Sequence, residues 1–278
     1  MSPLVIALVL GAAVLHAAWN AALRSSIDRL RGIVIMSMTS ATVALPFAIA
    51  LPLPDRASWP YLAASAALQI GYCFFLVRAY REGDFGQIYP IARGSSPLLV
   101  TLGAALLAHE HLAPLALIGV VLVSVGIFAS ARGIDRAHLG SVFAALAAGV
   151  FIAGYSLADG NGARLAGNAQ AYTAWSFIAQ GAPMPLIYLA LRRRFPLQPF
   201  DAQAWRAIGG GAVSAIAYGI VIIAMSISPM GAVSALRETS ILFAAIIARV
   251  FLGEPLTRRR IAAVSVIAIG AACLSLSH

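Results

Sequence analysis

Residues 91–126, IARGSSPLLVTLGAALLAHEHLAPLALIGVVLVSVG, decide how the chain is read, because residues 235–270, ALRETSILFAAIIARVFLGEPLTRRRIAAVSVIAIG, repeat their pattern. In the first stretch Arg93 precedes Glu110 by 17 residues, Leu112 follows that glutamate by two and Gly126 by 16. In the second, Arg237 precedes Glu254 by 17, Leu256 follows by two and Gly270 by 16, so the block recurs at a constant offset of 144 positions. Each copy reads as an arginine at the entry to an apolar helix, a Glu-x-Leu turn and a second apolar helix. The offset divides the chain into two repeats, 1–135 and 136–278.

The rest of the chain is as apolar as these stretches. Of 278 residues 61% are hydrophobic and 10% charged, with a mean hydropathy of +0.89. A soluble domain carries about 25% charged residues, so the 19 basic and 10 acidic side chains are too few to cover a water-facing surface. That excludes an ordinary cytosolic enzyme. It also excludes a disordered chain, which needs low hydrophobicity, and two cysteines are too few for a disulfide scaffold. What remains is a polytopic membrane protein. All 19 basic residues are arginine, which we read as the mark of a GC-rich genome. They lie scattered between apolar runs, so the net charge of +9 speaks for topology and membrane-lipid headgroups and against nucleic acid.

Apolar runs of spanning length, about 20 residues, cover 4–23, 32–53, 58–80, 85–107, 112–131, 139–158, 167–191, 205–226, 230–252 and 259–276. The expected fold is all-α, with ten transmembrane helices. The runs are continuously apolar, unlike the short alternating strands of a membrane β-barrel. No basic residue precedes the first run and Arg24 follows it, so we read it as a span and not a cleaved signal. Fourteen arginines, among them Arg24, Arg31, Arg132, Arg136, Arg194 and Arg259, follow odd-numbered runs; the other loops hold Arg56 and Arg164. By the positive-inside rule the odd loops face the cytoplasm and both termini face outward, in a multi-pass bacterial inner-membrane protein. Five helices per repeat is an odd number, so the two copies enter the membrane in opposite senses. Such inverted repeats place a substrate site near the midplane, where the halves meet, and argue for a carrier.

Four segments, LHAAWNAALR at 15–24, RAYREGDFGQIYPIARGSSPLL at 78–99, ALRETSILFA at 235–244 and the paired turns HEHL and GEPL, resemble the drug/metabolite transporter superfamily, specifically its ten-helix EamA-type permeases. The resemblance covers essentially the full chain. It implies two inverted five-helix repeats, a central cavity lined by helices 1, 3, 4, 6, 8 and 9, and helices 5 and 10 packed peripherally. It also implies export of amino acids or similar metabolites as the commonest activity. Several members are described with cytoplasmic termini, against the arginine count, and sidedness is left open. In the related four-helix multidrug exporters a coupling glutamate lies eight residues before a lysine in helix 1. Here His16 lies eight before Arg24, which argues against carboxylate-coupled antiport of drug cations.

Ionisable groups inside a membrane are costly and usually face a cavity or a partner. On helix 1, His16 and Asn20 share a face with Trp19 beside them. His16 is either a titratable group at the cavity, with protons as the coupling ion, or structural glue between helices. Pro90, Gly94 and Pro97 weaken helix 4 around Arg93, so either a break presents backbone to a ligand or a loop ends just before the true helix. Arg93 and Arg237 either bind an anionic group bidentately or are neutralised by carboxylates such as Glu238 or Asp159. Because adjacent helical residues diverge by about 100°, a bridge from Arg237 to Glu238 is expected to be poor. Tyr72, Tyr89, Tyr155, Trp175 and Tyr218 either line a cavity for an amphipathic organic substrate or cation, or pack in the core and interface. Tyr155 and Ser156 match Trp19 and Asn20 when GYSLAD is laid on AWNAAL. The candidate substrate site is therefore His16, Trp19, Asn20, Tyr72, Tyr89, Arg93, Tyr155, Ser156, Tyr218, Arg237 and Glu238.

The leading function is a secondary carrier for a small organic molecule, as monomer or homodimer, with no cofactor or metal. The chain lacks the phosphate-binding G-x-x-x-x-G-K-[ST] loop, so a gradient supplies the energy. The alternative is a membrane-embedded enzyme acting on lipid or peptide. His109, Glu110 and His111 resemble a metal or catalytic cluster in isolation. The second repeat has GEPL at that point without histidine, which favours an inter-helix turn.

Overall fold

The computed structural model describes residues 1–23, 28–82, 85–130, 139–198, 200–251 and 257–277, and within the helices it leaves out the side chains of residues 19–23, 29, 76–82, 85–90, 130, 139, 248, 251 and 260. Among the described residues the secondary structure is helical. In chain order the α-helices are α1 (Pro3–Leu23), α2 (Arg29–Ala50), α3 (Trp59–Glu82), α4 (Phe85–Leu107), α5 (Pro114–Ser130), α6 (Leu139–Leu165), α7 (Ala169–Gly181), α8 (Met184–Arg192), α9 (Ala202–Ile227), α10 (Met230–Arg237), α11 (Ser240–Phe251) and α12 (Arg258–Leu276). Eight of the ten expected runs form one helix each. The seventh divides into α7 and α8 at Ala182–Pro183, and the ninth into α10 and α11 at Glu238–Thr239. By length and composition, Leu30–Ala50, Gly140–Leu165, Ala169–Arg192, Ala202–Ile227 and Met230–Ile247 can each cross a membrane.

Polar side chains start several helices where the chain leaves the apolar layer. Asp28 accepts from the Arg31 backbone N–H at 3.0 Å, Asn168 from that of Ala171 at 2.9 Å and Asp201 from that of Ala204 at 2.9 Å, each satisfying a first-turn donor. Between the ends, the usual inside and outside are reversed. Leu4, Ile49, Leu107, Phe143 and Ile227 are exposed, whereas Arg93, Asp159, Arg237 and Glu238 are buried. That distribution suits a lipid-facing surface around a polar interior.

Close packing fixes the neighbours of the buried charges. α3 packs along α6, α1 along α9, α5 against α12, and α4 against both α6 and α10. At the α5–α12 seam a Cβ on Gly119 would meet the Gly270 carbonyl at 2.8 Å, and one on Gly126 would meet the Ala263 carbonyl at 3.0 Å. Small residues at these points let the backbones touch. Adding 144 turns Gly119 into Ala263 and Gly126 into Gly270, so the two contacts interchange.

Helix 4 departs from expectation. Its prolines do not break it: α4 runs continuously through Pro90 and Pro97. Pro97 has no N–H for the Arg93 carbonyl, but neighbouring helices press on this turn. Gly94 lies against Ile127 of α5, and a Cβ on Gly149 of α6 would meet the Ala92 carbonyl at 2.9 Å. The break falls at the repeat-related position in the second half. There Thr239 Oγ1 donates to the Leu236 carbonyl at 2.7 Å, and the backbone N–H groups of Glu238 and Thr239 bond three residues back, to Ala235 and Leu236. A threonine hydroxyl competing for a helix carbonyl, with tightened i to i−3 bonds, ends the helix there.

Candidate functional site

The break aims one carboxylate at two arginines. Glu238, fully buried, accepts from Arg93 Nε on α4 at 2.7 Å through Oε2. Its Oε1 accepts from Arg237 Nε and Nη2, both at 3.3 Å. The bridge from Arg237 to Glu238, expected to be poor, does form, as the weaker of the two. Arg237 is the last residue of α10 and Glu238 caps it with φ −70° and ψ −10°, still in the helical region, and both contacts between these adjacent side chains are long. The adjacent pair is longer than the pair across helices, and the bridge from α4 is the short, charge-assisted one. At this depth an unpaired guanidinium or carboxylate costs several kcal/mol, which explains why the three charges converge.

Arg93 also reaches α1. Its Nη2 lies 3.2 Å from His16 Nε2. A guanidinium only donates, so His16 Nε2 accepts and carries no proton in this arrangement. Trp19 and Asn20 follow on α1 and Tyr89 precedes Arg93 on α4, but their side chains lie outside the described residues, as do Arg24, Arg132, Arg136, Glu254 and Leu256.

On its other side Arg237 stands over the Tyr218 ring, 5.9 Å from the ring centroid, within cation–π range. Tyr218 packs edge-on against Tyr155 at 5.8 Å, and Tyr155 against Tyr72 at 6.0 Å. Three of the four expected tyrosines thus form a continuous row across α9, α6 and α3. Tyr218 donates its hydroxyl to Asp159 Oδ2 at 2.6 Å, while Tyr172 donates to Oδ1 at 3.3 Å and Ser65 also bonds this carboxylate. Ser156, one turn before Asp159, and Ser234, one turn before Glu238, are buried with no hydrogen-bond partner for the hydroxyl. Trp175 packs with the Ala44 and Phe177 cluster instead, and its Nε1 has no partner.

The contacts therefore unite His16, Tyr72 and Arg93 from residues 1–135 with Tyr155, Tyr218, Arg237 and Glu238 from 136–278, and no hydrogen bond joins Ser156 to them among the described residues. Tyr172 and Ser65, which complete the shell around Asp159, were not anticipated; a tyrosine and a serine in apolar runs carry no sequence signal of their partner. His109 and His111 are exposed in the turn between α4 and α5, and among the described residues no cluster of metal-ligating side chains is present. Glu110 between them turns inward to Arg164 Nη2 at 2.5 Å. Cys73 and Cys273 are free thiols, as their separation predicts.

Residues 139–276 match the family model described as EamA-like transporter family. This half of the chain is an EamA-like transporter domain. The EamA domain supplies Tyr155, Asp159, Tyr218, Arg237 and Glu238, and the preceding half supplies the arginine that reaches them. A solved crystal structure shares the fold, with a TM-score of 0.79 over 98% of this chain and 96% of its own at 18% identity. No curated protein matches the sequence. Family domain, apolar helices and buried charges are together consistent with a membrane transporter.

Proposed function

We propose that the chain is a secondary transporter that moves a small organic metabolite, such as an amino acid, across the bacterial inner membrane by alternating access. In this reading ten spans form two inverted five-helix repeats, 1–135 and 136–278. The observation that carries it is Glu238, buried at a helix break and gripped by one arginine from each half. A helix interrupted at membrane depth, where two halves meet, suits a carrier site. Supporting the repeat are the interchanging contacts at Gly119 and Gly126, and the packing of α3 on α6 beside that of α1 on α9.

Glu238 occupies the place a substrate anion takes. An incoming carboxylate competes with it for Arg93 and Arg237, while the row of Tyr72, Tyr155 and Tyr218 flanks the apolar body of the substrate and Ser156 offers an unused hydroxyl. A proton on His16 Nε2 removes the lone pair that Arg93 uses and sets a second cation beside Arg93 and near Arg237. Arg93 is then freed toward the substrate, which couples proton to solute. The test is saturable uptake of a metabolite panel by purified protein in liposomes, with and without a pH gradient. At least one carboxylate-bearing solute is expected to move; no flux under any gradient, together with chemical alteration of a lipid or peptide, would overturn the reading.

A further inference from the structure

The transporter reading leaves the half-buried pair of Glu110 and Arg164 without a role. Glu110 lies in the turn between α4 and α5, far along α4 from Arg93, and both its oxygens are engaged by the other half of the chain. Oε1 meets Arg164 Nη2 at the end of α6, and Oε2 accepts from the Met230 backbone N–H, the first of α10, at 2.9 Å. Arg164 in turn donates through Nε to the Met225 carbonyl at 3.1 Å and through Nη2 to the Ser228 carbonyl at 2.8 Å. One carboxylate and one guanidinium thus tie together the end of α4, the end of α6, the end of α9 and the start of α10. The Asp55 N–H donates to the Ala166 carbonyl at 3.1 Å, so the loop before α3 joins the same end of the molecule. This is the arginine-poor end, where the connections hold only Arg56 and Arg164.

We propose that Glu110 and Arg164 form the gate that closes the transport site toward this arginine-poor face, with Glu110 the positioning residue for α10. The proposal rests on the carrier reading and adds the device that sets which side the site faces. α10 is one short rigid helix. From Met230 to Arg237 it rises about 10 Å, so whatever fixes its first N–H also fixes the height of Arg237 and Glu238. A carboxylate at that N-terminus complements the helix dipole as well as the bare N–H. α4 and α10 are therefore clamped at two levels, by Glu238 on Arg93 inside and by Glu110 on Met230 at the rim, and α10 moves only when both release.

The rim is built to close and to open. It closes tightly: a Cβ on Gly231 would meet Thr101 of α4, and one on Gly160 of α6 would meet the Met230 side chain. The carboxylate is preset by its own turn, since His109 adopts φ +51°, a left-handed conformation that non-glycine residues seldom take, and the Glu110 N–H bonds the Ala104 carbonyl at 3.1 Å. It can open because the pair is partly hydrated, with Glu110 12% and Arg164 27% exposed, against 0% for Glu238. Water replaces the lost partner at the rim more cheaply than at the core.

The experiment reads access without needing a substrate. In a background of Cys73→Ala and Cys273→Ala, Ser234→Cys places a thiol on α10, one turn before Glu238. Its labelling by a membrane-impermeant sulfonated maleimide is followed in membrane vesicles of either orientation. With Glu110 intact the thiol is protected from the arginine-poor face. Glu110→Ala and Arg164→Ala are each expected to raise labelling from that face on the order of tenfold, and Glu110→Gln, which keeps an acceptor for the Met230 N–H, by less. Unchanged labelling in variants that unfold at the parent's temperature, or a rise from the opposite face, overturns the gate. Should Glu110→Ala fail to fold, Arg164→Ala and Glu110→Gln give the same reading. Metabolite flux in the parent protein separates the two levels: flux without a labelling change removes the gate and leaves the carrier, and a labelling change without flux does the reverse.

Discussion

Arg93 and Arg237 stand at the same point of the two repeats, yet their backbones differ. α4 continues through Pro90, Gly94 and Pro97, whereas the second-half counterpart stops at Arg237 and restarts at Ser240. The half with the helix-breaking residues keeps its helix, because α5 and α6 press on the Ala92–Gly94 turn. The half that reads as an ordinary helix is interrupted by the Thr239 hydroxyl on the Leu236 carbonyl. The difference teaches that two stretches matched in sequence spacing need not match in backbone or in chemistry. One half contributes an arginine on a continuous helix, and the other contributes an arginine and the carboxylate between them.

That asymmetry can be broken experimentally. The largest effect belongs to Glu238→Ala, which leaves two buried guanidiniums with no carboxylate between them. A loss of about 3–5 kcal/mol is expected in thermal or denaturant unfolding in detergent. Arg93→Ala should destabilise more than Arg237→Ala, because its contact is 2.7 Å against 3.3 Å and it crosses between the halves; the reverse order would show that the short helix carries the site alone.

A smaller loss, about 1–3 kcal/mol, is expected for Gly119→Val and Gly126→Val alike. Each inserts a side chain between touching backbones at interchanging positions, and a large inequality in melting temperature would count against two equivalent repeats. In flux measurements His16→Ala and Arg237→Ala should each reduce transport more than His109→Ala, whose ring is exposed in the turn. Equal losses at all three would undo the placement of the site.

The smallest effect lies at the arginine-rich end. Arg31 donates to Asp201 at 2.9 Å and to the Pro196 carbonyl at 2.7 Å, and its guanidinium, followed by the Ala204 N–H, holds the Asp201 carboxyl below the usual carboxylate range. A depressed folded pKa stabilises above the ordinary value and is lost as pH falls through the lowered one. Asp201→Asn should therefore lower the melting temperature slightly at neutral pH, and the gap from the parent should close under acid.

How much of this was legible follows from the range of each interaction. Helix positions were legible because each apolar run is local and about as long as the membrane is thick. Arg93 and Arg237 stood out because charge is scarce and their spacing recurs. Their shared carboxylate was only half legible: Glu238 was named as a partner, but its geometry depended on a helix end that a single hydroxyl creates. Tyr172 on Asp159 and Glu110 on Arg164 were not legible, since each pairing depends on which helices become neighbours. The sequence marks Glu110 as part of a turn, which it is, while its contact with the Met230 N–H depends on α10 lying against α4.

The central claim is that Arg93 and Arg237 serve one site on Glu238. It is tested most directly by the flux of a transported solute in Arg93→Ala, Arg237→Ala and the double variant, in liposomes at one protein density. Residues that act as a unit are non-additive. Each single variant is expected to lose most of the flux, and the double variant little more than either alone. Independent, multiplying losses in the double variant, or flux indifferent to both substitutions, would contradict it.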